Sequence, residues 1–215
     1  MSTAIRAVLY DHDGTLVDSL AVVVAASNAV LRHRQRPERP AAEIIKAMVL
    51  HTAPRMGFHA EIADPAVQLE MAAEFYAAAI HMPEQVRVYS GVPEMVAAVA
   101  RKGLAQGVIS NNQGAFVRAA LGFLDLSRHF GPLLGEEDIP APKPSPSGLL
   151  LAAQLLGVAP ADCMFVGDSP ADAQAAAAAG MRGIGVTWGI HQRDEMVGMG
   201  FAQLIDHPHE LLLVL

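Results

Sequence analysis

The sequence predicts an α/β fold, in which a parallel sheet carries helices on both faces and a helical segment is inserted after the first strand. Three observations predict it. From about residue 86 onward, short apolar runs alternate with segments of helical periodicity. Polar side chains follow several of these runs, at the strand ends where open α/β sheets bind ligands. Residues 17–82 show helical periodicity and contain no predicted strand.

The first strand is predicted over residues 5–11, where an apolar run leads into Asp11. Three helices are predicted in the inserted segment, over residues 18–32, 41–49 and 65–80, from apolar residues at helical spacing. The buried stripes predicted for the first and third are Leu20, Val23, Val24, Ser27 and Leu31, and Val67, Met71, Phe75 and Ala78.

Strands and helices alternate in the remainder of the chain, which is typical of a parallel sheet. Strands are predicted over residues 105–110, 132–134, 164–167 and 183–186, and helices over 93–101, 115–121, 147–156 and 171–179.

Composition narrows the classes of partner. The 215 residues are 52% hydrophobic with a net charge of −7, which disfavours nucleic acid and acidic membrane surfaces. No apolar run approaches the roughly 18 residues of a membrane span, and the N-terminus lacks the pattern of a signal peptide. The single cysteine, Cys163, excludes an internal disulfide. We therefore expect a cytoplasmic protein, monomeric or homodimeric.

Two acids follow the first strand directly, in the segment Asp11-His12-Asp13-Gly14-Thr15. Burying two carboxyl groups side by side is costly unless a metal or a reaction needs them. The alternative is an ordinary strand-to-helix turn, because Asp and Gly are common turn residues.

Other strand ends and one loop carry further polar groups. They are Ser110-Asn111-Asn112, Lys143 in a proline-rich loop, and the segment from Asp168 to Asp172. Each has a structural alternative: Ser110 as a helix cap, Lys143 as a surface lysine, and the two acids as partners of a helix dipole. Four such features in this order favour one shared site.

In the order and the residues of these four motifs, the chain resembles the haloacid dehalogenase-like (HAD) hydrolase superfamily. It is most similar to the phosphatase branch with a helical cap, which includes phosphoglycolate phosphatases. Trp188-Gly189 is also similar to that branch. The resemblance implies a Rossmann-like catalytic core of residues 1–16 and 87–215 and a helical cap of residues 17–86.

The resemblance implies roles for the core residues. Asp11 is expected to be the nucleophile, Asp13 the general acid and base, and Lys143 and Ser110 the groups that bind the phosphoryl group. Dehalogenases of the superfamily lack the second aspartate, so Asp13 favours phosphoryl transfer. His12 is expected to point away from both acids and to have a structural role.

The implied cofactor is Mg²⁺, which prefers oxygen ligands. Its expected ligands are the carboxylates of Asp11 and Asp168 and the backbone carbonyl of Asp13. Asp172 is expected to support the site, and the remaining motif residues are assigned to substrate binding (Asn111, Asn112) or support (Gly14, Thr15).

The cap is expected to select the leaving group. His51 and Arg55 are the candidates to bind a carboxylate or second phosphate of the substrate, and exposure to solvent is the alternative for both. The expected activity is Mg²⁺-dependent hydrolysis of a small phosphate monoester, phosphoglycolate-like or a sugar phosphate, through an aspartyl-phosphate. Alternatives are a phosphosugar mutase of the β-phosphoglucomutase type and a non-catalytic protein that binds a phosphorylated metabolite.

Overall fold

The computed structural model describes residues 4–215, except for the side chain of Val49. The chain forms two compact units. One, here called the sheet unit, comprises the residues up to Asp18 together with Arg87–Leu215. The other, the helical unit, is Ser19–Val86.

The strands confirm the predicted parallel sheet. In chain order they are β1 (Ala7–Tyr10), β2 (Val17–Asp18), β3 (Arg87–Val88), β4 (Ala105–Ile109), β5 (Leu133–Leu134), β6 (Cys163–Gly167), β7 (Arg182–Val186) and β8 (Gln203–Ile205). Six of them form one sheet in the order β5-β4-β1-β6-β7-β8, in which every neighbouring pair is parallel. The other two, β2 and β3, pair antiparallel.

The register of the central strands determines where the polar residues meet. Tyr10, the last residue of β1, pairs with Val108 of β4 and Val166 of β6. Because all three strands run in the same direction, the residues that follow them lie at one edge of the sheet. Asp11 and Asp168 are two of these residues.

The α-helices include every predicted one, with shifted ends in several cases. In chain order they are α1 (Leu20–His33), α2 (Ala41–Lys46), α3 (Thr52–Ala60), α4 (Pro65–Ile80), α5 (Val92–Arg101), α6 (Gly114–Phe123), α7 (Ser147–Leu156), α8 (Pro170–Ala178), α9 (Arg193–Met196) and α10 (Leu211–Val214). Within the described residues, no helix is both long and apolar enough to span a membrane.

Helices cover both faces of the sheet. On one face, Leu9 and Phe165 belong to a buried cluster with Leu149 of α7 and Ala175 of α8. On the other, the Tyr10 hydroxyl donates to Gln106 Oε1 at 2.9 Å, and Gln106 Nε2 donates to the backbone oxygen of Val96 in α5 at 3.1 Å. The sheet is therefore buried between two helical layers.

The helical unit corrects several sequence expectations. The predicted helix over 41–49 ends at Lys46 and continues as a 3₁₀ turn, Ala47–Val49. Helix α3 was not predicted, because Pro54 and Gly57 are weak helix formers and indicate a break. Its proline lies in the first turn, where the missing N–H removes no helical hydrogen bond. The segment 17–82 also contains a strand, β2, at its first two residues.

The buried stripe of α1 is displaced from the predicted one. Leu20 and Val24 are only half-buried, and the fully buried positions are Val22, Val23, Ala26, Ser27, Val30 and Leu31. The helix packs against both α2 and α4, so its buried surface is wider than a single stripe. Similarly, α4 buries Met71, Ala72, Phe75 and Ala79, whereas Val67 and Ala78 are half-buried.

Candidate active site

The end of β1 brings Asp11 into the interior. All four residues of β1 are completely buried, and Asp11 is 6% exposed. Its backbone N–H donates to the Val166 carbonyl oxygen at 2.8 Å, which continues the β1–β6 ladder for one more residue. The carboxyl group is therefore held on a rigid strand end.

Three carboxyl groups meet at this edge of the sheet. Asp11, Asp168 and Asp172 are all buried, and each offers one oxygen such that the three lie within 4.8 Å of one another. Asp168 follows β6, and Asp172 lies in the first turn of α8. The group differs from the expected ligand set because it includes the Asp172 carboxylate, which was expected only to support the site. The expected carbonyl ligand from Asp13 stays a prediction.

Lys143 lies between two of these acids. Its Nζ donates to Asp11 Oδ1 at 2.5 Å and to Asp172 Oδ1 at 2.6 Å. The backbone of Lys143 is bound in turn by the Asn111 side chain, which donates to the lysine carbonyl at 2.9 Å and accepts from its N–H at 2.7 Å. The Asn111 amide is thus engaged in holding the loop that carries the lysine.

The other oxygen of Asp172 caps its own helix. Asp172 Oδ2 accepts from Ser169 Oγ at 2.6 Å and from the Ser169 N–H at 3.0 Å. This is the capping box that favours a helix start at this point. One oxygen of Asp172 therefore caps the helix, and the other contacts Lys143.

Burial makes the charge balance of the cluster unfavourable. Desolvation, together with repulsion from the neighbouring carboxylates, raises the pKa of Asp11 to about 8. These effects outweigh the attraction of Lys143, which lowers that pKa. Desolvation and Asp172 raise the pKa of Asp168 to about 7. Burial by itself would lower the pKa of Lys143, but the two acids outweigh it and raise that pKa above its ordinary value. Three buried carboxyl groups against one ammonium form a donor set that fits a hard divalent cation such as Mg²⁺.

Asp13 lies beside the cluster and is less buried, with 27% of its side chain exposed. Asn112 Nδ2 donates to Asp13 Oδ2 at 3.2 Å, and Ser110 Oγ donates to the same oxygen at 3.5 Å. The sequence assigned Asn112 to substrate binding; in the structure its side chain contacts Asp13.

The expectation that His12 points away from Asp13 is wrong. Its Nδ1 lies 3.2 Å from Asp13 Oδ2, and the ring is completely buried with its edge against Phe116. The expectation assumed an extended strand through Asp13, in which neighbouring side chains point to opposite faces. The strand ends at Tyr10, so this alternation does not hold at His12.

The loop after β7 contacts both Thr15 and Asp168. Trp188 Nε1 donates to the Thr15 carbonyl oxygen at 2.9 Å, and the Ile190 N–H donates to Asp168 Oδ2 at 3.2 Å. Gly14 has a φ of +82°, and a Cβ there would overlap the Asp168 carboxyl group. The sequence indicated Trp188-Gly189 only by resemblance, and no local pattern could have shown that this loop contacts Asp168.

Replacing Gly189 by Ala will destabilise the protein by about 1–3 kcal/mol. A Cβ at this position would lie 2.5 Å from Asp168 Oδ2 and closer still to the Gly14 carbonyl oxygen, so backbone must move. Urea unfolding measures the change. Gly122→Ala is the matched control, because a Cβ there meets nothing within 4 Å and Ala favours helix. Equal stability of the two variants would contradict the close packing of this loop.

The two candidate residues of the helical unit differ in exposure. Arg55 is buried, with its guanidinium carbon 5.0 Å from the centre of the Phe75 ring. Its Nε has no hydrogen-bond partner among the described residues, and burial lowers its pKa. His51 is exposed and immediately precedes α3. The solvated alternative therefore fails for Arg55.

Comparison with known proteins identifies the family. The family model described as haloacid dehalogenase-like hydrolase matches residues 8–186, most of the chain. The chain belongs to the haloacid dehalogenase-like hydrolase family. All the acids of the cluster and Lys143 lie within the matched part of this hydrolase.

Relatives of this haloacid dehalogenase-like hydrolase include phosphoglycolate phosphatases. That of Pseudomonas putida is 34% identical over 216 residues, covering 96% of this chain and 78% of the relative. That of Xylella fastidiosa is 32% identical over 211 residues, covering 96% of this chain and 91% of the relative. The solved structure of a predicted phosphoglycolate phosphatase from Haemophilus somnus has the same fold, with a TM-score of 0.87, 22% identity, and coverage of 100% of this chain and 99% of that one.

Proposed function

We propose that this protein hydrolyses a small phosphate monoester, with Asp11 as the nucleophile and Mg²⁺ as the cofactor. The family and its phosphoglycolate phosphatase relatives indicate a phosphatase. The observation that carries the proposal is the buried contact of Asp11 with Lys143 inside a cluster of carboxyl groups. It combines a nucleophile with a cationic group that offsets charge during phosphoryl transfer.

The reaction proceeds in two steps. The Asp11 carboxylate attacks phosphorus, the bond to the leaving oxygen breaks, and an aspartyl-phosphate forms. Water then attacks this phosphorus, which releases inorganic phosphate and regenerates the carboxylate. Lys143 offsets the charge of the nucleophile and the transferring group, and Ser110, which follows β4, holds phosphoryl oxygens.

Asp13 moves the protons. It donates one to the leaving oxygen in the first step and accepts one from the attacking water in the second. Its side chain is 27% exposed, whereas that of Asp11 is 9% exposed, so the two carboxyl groups have different surroundings. Without a cation, burial raises the pKa of Asp11 to about 8, so a bound Mg²⁺ would be needed to favour the ionised Asp11 that the attack requires.

The cation would be held by the carboxylates of Asp11 and Asp168 and by the Asp13 carbonyl, with Asp172 in support. When bound, Mg²⁺ neutralises negative charge on the phosphoryl oxygens. Gly14 supports this arrangement because its lack of a side chain leaves room for the Asp168 carboxyl group. Thr15 supports it through its carbonyl, which accepts from Trp188.

The helical unit, Ser19–Val86, acts as the cap, for which residues 17–86 were predicted, and the rest of the chain acts as the catalytic core. Arg55 contacts an anionic group of the substrate and His51 assists. No acid among the described residues is a salt-bridge partner of Arg55, and its buried Nε has no hydrogen-bond partner, although the guanidinium lies over the Phe75 ring. A second anionic group on the substrate, besides the phosphoryl group, would supply the missing partner, which favours a phosphoglycolate-like substrate over a sugar phosphate whose leaving group is uncharged.

Phosphate release from a panel of esters tests the function. The panel contains 2-phosphoglycolate, glucose 1-phosphate, glycerol 2-phosphate and 4-nitrophenyl phosphate, each with Mg²⁺ and with EDTA. We expect release in Mg²⁺ that is lost in EDTA. We also expect Mg²⁺ to raise the melting temperature of the native chain but not of Asp168→Asn.

The other outcomes distinguish the alternatives. Release that requires a sugar bisphosphate and yields an isomerised sugar phosphate would indicate a mutase. Binding of these esters without any turnover would indicate a non-catalytic protein. Full activity in EDTA would contradict the metal requirement.

A further inference from the structure

Three polar groups converge on one oxygen of Asp13. Asn112 Nδ2 donates to Asp13 Oδ2 at 3.2 Å, Ser110 Oγ donates to it at 3.5 Å, and His12 Nδ1 lies 3.2 Å from it. All four residues belong to the sheet unit. The convergence restrains rotation of the Asp13 carboxyl group.

His12 is an unusual neighbour for this acid. The ring is completely buried, and neither nitrogen has an aligned hydrogen-bond partner among the residues that the structure describes. A buried imidazole without partners is costly, and natural proteins rarely keep one without a use. The Asp13 carboxyl is the acidic group within salt-bridge distance of the ring, and the neighbouring ring of Phe116 is apolar.

Asn112 is itself held rigidly. Its backbone N–H donates to Ser110 Oγ at 3.0 Å, and its Oδ1 accepts from the Gln113 N–H at 2.8 Å. These two bonds form a turn immediately before α6, so the Nδ2 group is directed toward Asp13 by the start of the helix. Such an Asn side chain costs little further entropy when it binds Asp13.

We propose that His12 and Asn112 are positioning residues, which hold Asp13 by Oδ2 so that Oδ1 exchanges the proton with the leaving group and with water. The inference rests on the proposed function, in which Asp13 is the acid and base. A donor that occupies Oδ2 leaves the acidic proton to Oδ1, and fixing its direction matters because proton transfer requires hydrogen-bond geometry. Asn112 Nδ2 supplies this donor, and the buried His12 ring, whose Nδ1 lies 3.2 Å from the same oxygen, limits movement of the carboxyl group.

The leaving group tests the proposal. Hydrolysis of 4-nitrophenyl phosphate needs little protonation of the leaving group, whereas glycerol 2-phosphate needs a proton. In His12→Phe and Asn112→Ala, we expect kcat/KM for glycerol 2-phosphate to fall about 10- to 100-fold more than for 4-nitrophenyl phosphate. The loss should be in kcat rather than KM, and His12→Asn, which keeps a polar side chain beside Asp13 Oδ2, should recover part of it.

Tyr10→Phe is the matched control, because it deletes a buried hydrogen bond of the same segment that goes to Gln106. It should leave the ratio of the two rates unchanged. An equal loss on both esters in the two variants would overturn the proposal and leave the phosphatase standing. Absence of release by the native chain from both esters would instead contradict the proposed function. If His12→Phe fails to fold, Asn112→Ala decides the outcome.

Discussion

Replacing Asp11 by Asn will abolish phosphate release, with a loss on the order of 10⁴-fold or more. The amide cannot attack phosphorus, and no other carboxylate of the cluster lies at the end of β1. The measurement is steady-state release from the best ester of the panel. Asp64→Asn is the matched control: Asp64 caps α4 in the helical unit, and Asn is an equally good cap.

In EDTA, Asp11→Asn will be at least as stable as the native chain. The folded-state pKa of Asp11 is raised above its unfolded value, so ionising this group opposes folding at any pH above about 4. That penalty grows until the pH passes the folded-state pKa of about 8, and the Asn variant lacks it. Turnover within tenfold of native would contradict the role of Asp11. A large loss of stability would contradict the charge balance described for the cluster.

Replacing Lys143 by Met will reduce both activity and stability. The ammonium contacts two buried acids, and its removal leaves a cluster of carboxyl groups without that cation. Breaking a buried ion pair from one side costs about 3–5 kcal/mol. Loss of a charged group that stabilises the transition state reduces kcat by about 10²- to 10³-fold.

Urea unfolding in EDTA and steady-state kinetics in Mg²⁺ measure the two effects of Lys143→Met separately. Lys102→Met, at an exposed position after α5, is the control for losing a lysine. Mg²⁺ should restore part of the lost stability, because it supplies positive charge to the same carboxylates. Wild-type stability in EDTA would show that the lysine is not needed to balance the cluster.

The sequence by itself determined the order of five of the six strands of the sheet and of seven helices, together with the strand ends that carry polar groups. The predicted bounds of α4 and α7 match the structure because local signals mark them, Asp64 with Pro65 at the start of α4 and Gly157 at the end of α7. The proximity of Asp11 and Asp168 could be predicted from one rule. The carboxyl ends of neighbouring parallel strands lie at the same edge of the sheet.

Local signals were misleading where a short element is stabilised by its neighbours. Helix α3 contains Pro54 and Gly57, yet it forms because it packs along α4. A Cβ on Gly57 would overlap the side chain of Gln68, so the glycine allows the two helices to approach closely. Tertiary packing overrides propensity here, because the burial of a helix face outweighs the weak preference of single residues.

Only the tertiary structure decided which groups touch. Asn112 reaches Asp13 across 99 positions of sequence, and Trp188 reaches Thr15 across 173. His12 contacts Asp13 because the strand ends at Tyr10, a boundary that no residue pattern marks. Sequence periodicity reports which face of an element is buried, whereas contacts between distant side chains depend on sheet register, on where the backbone turns, and on the space left by residues such as Gly14.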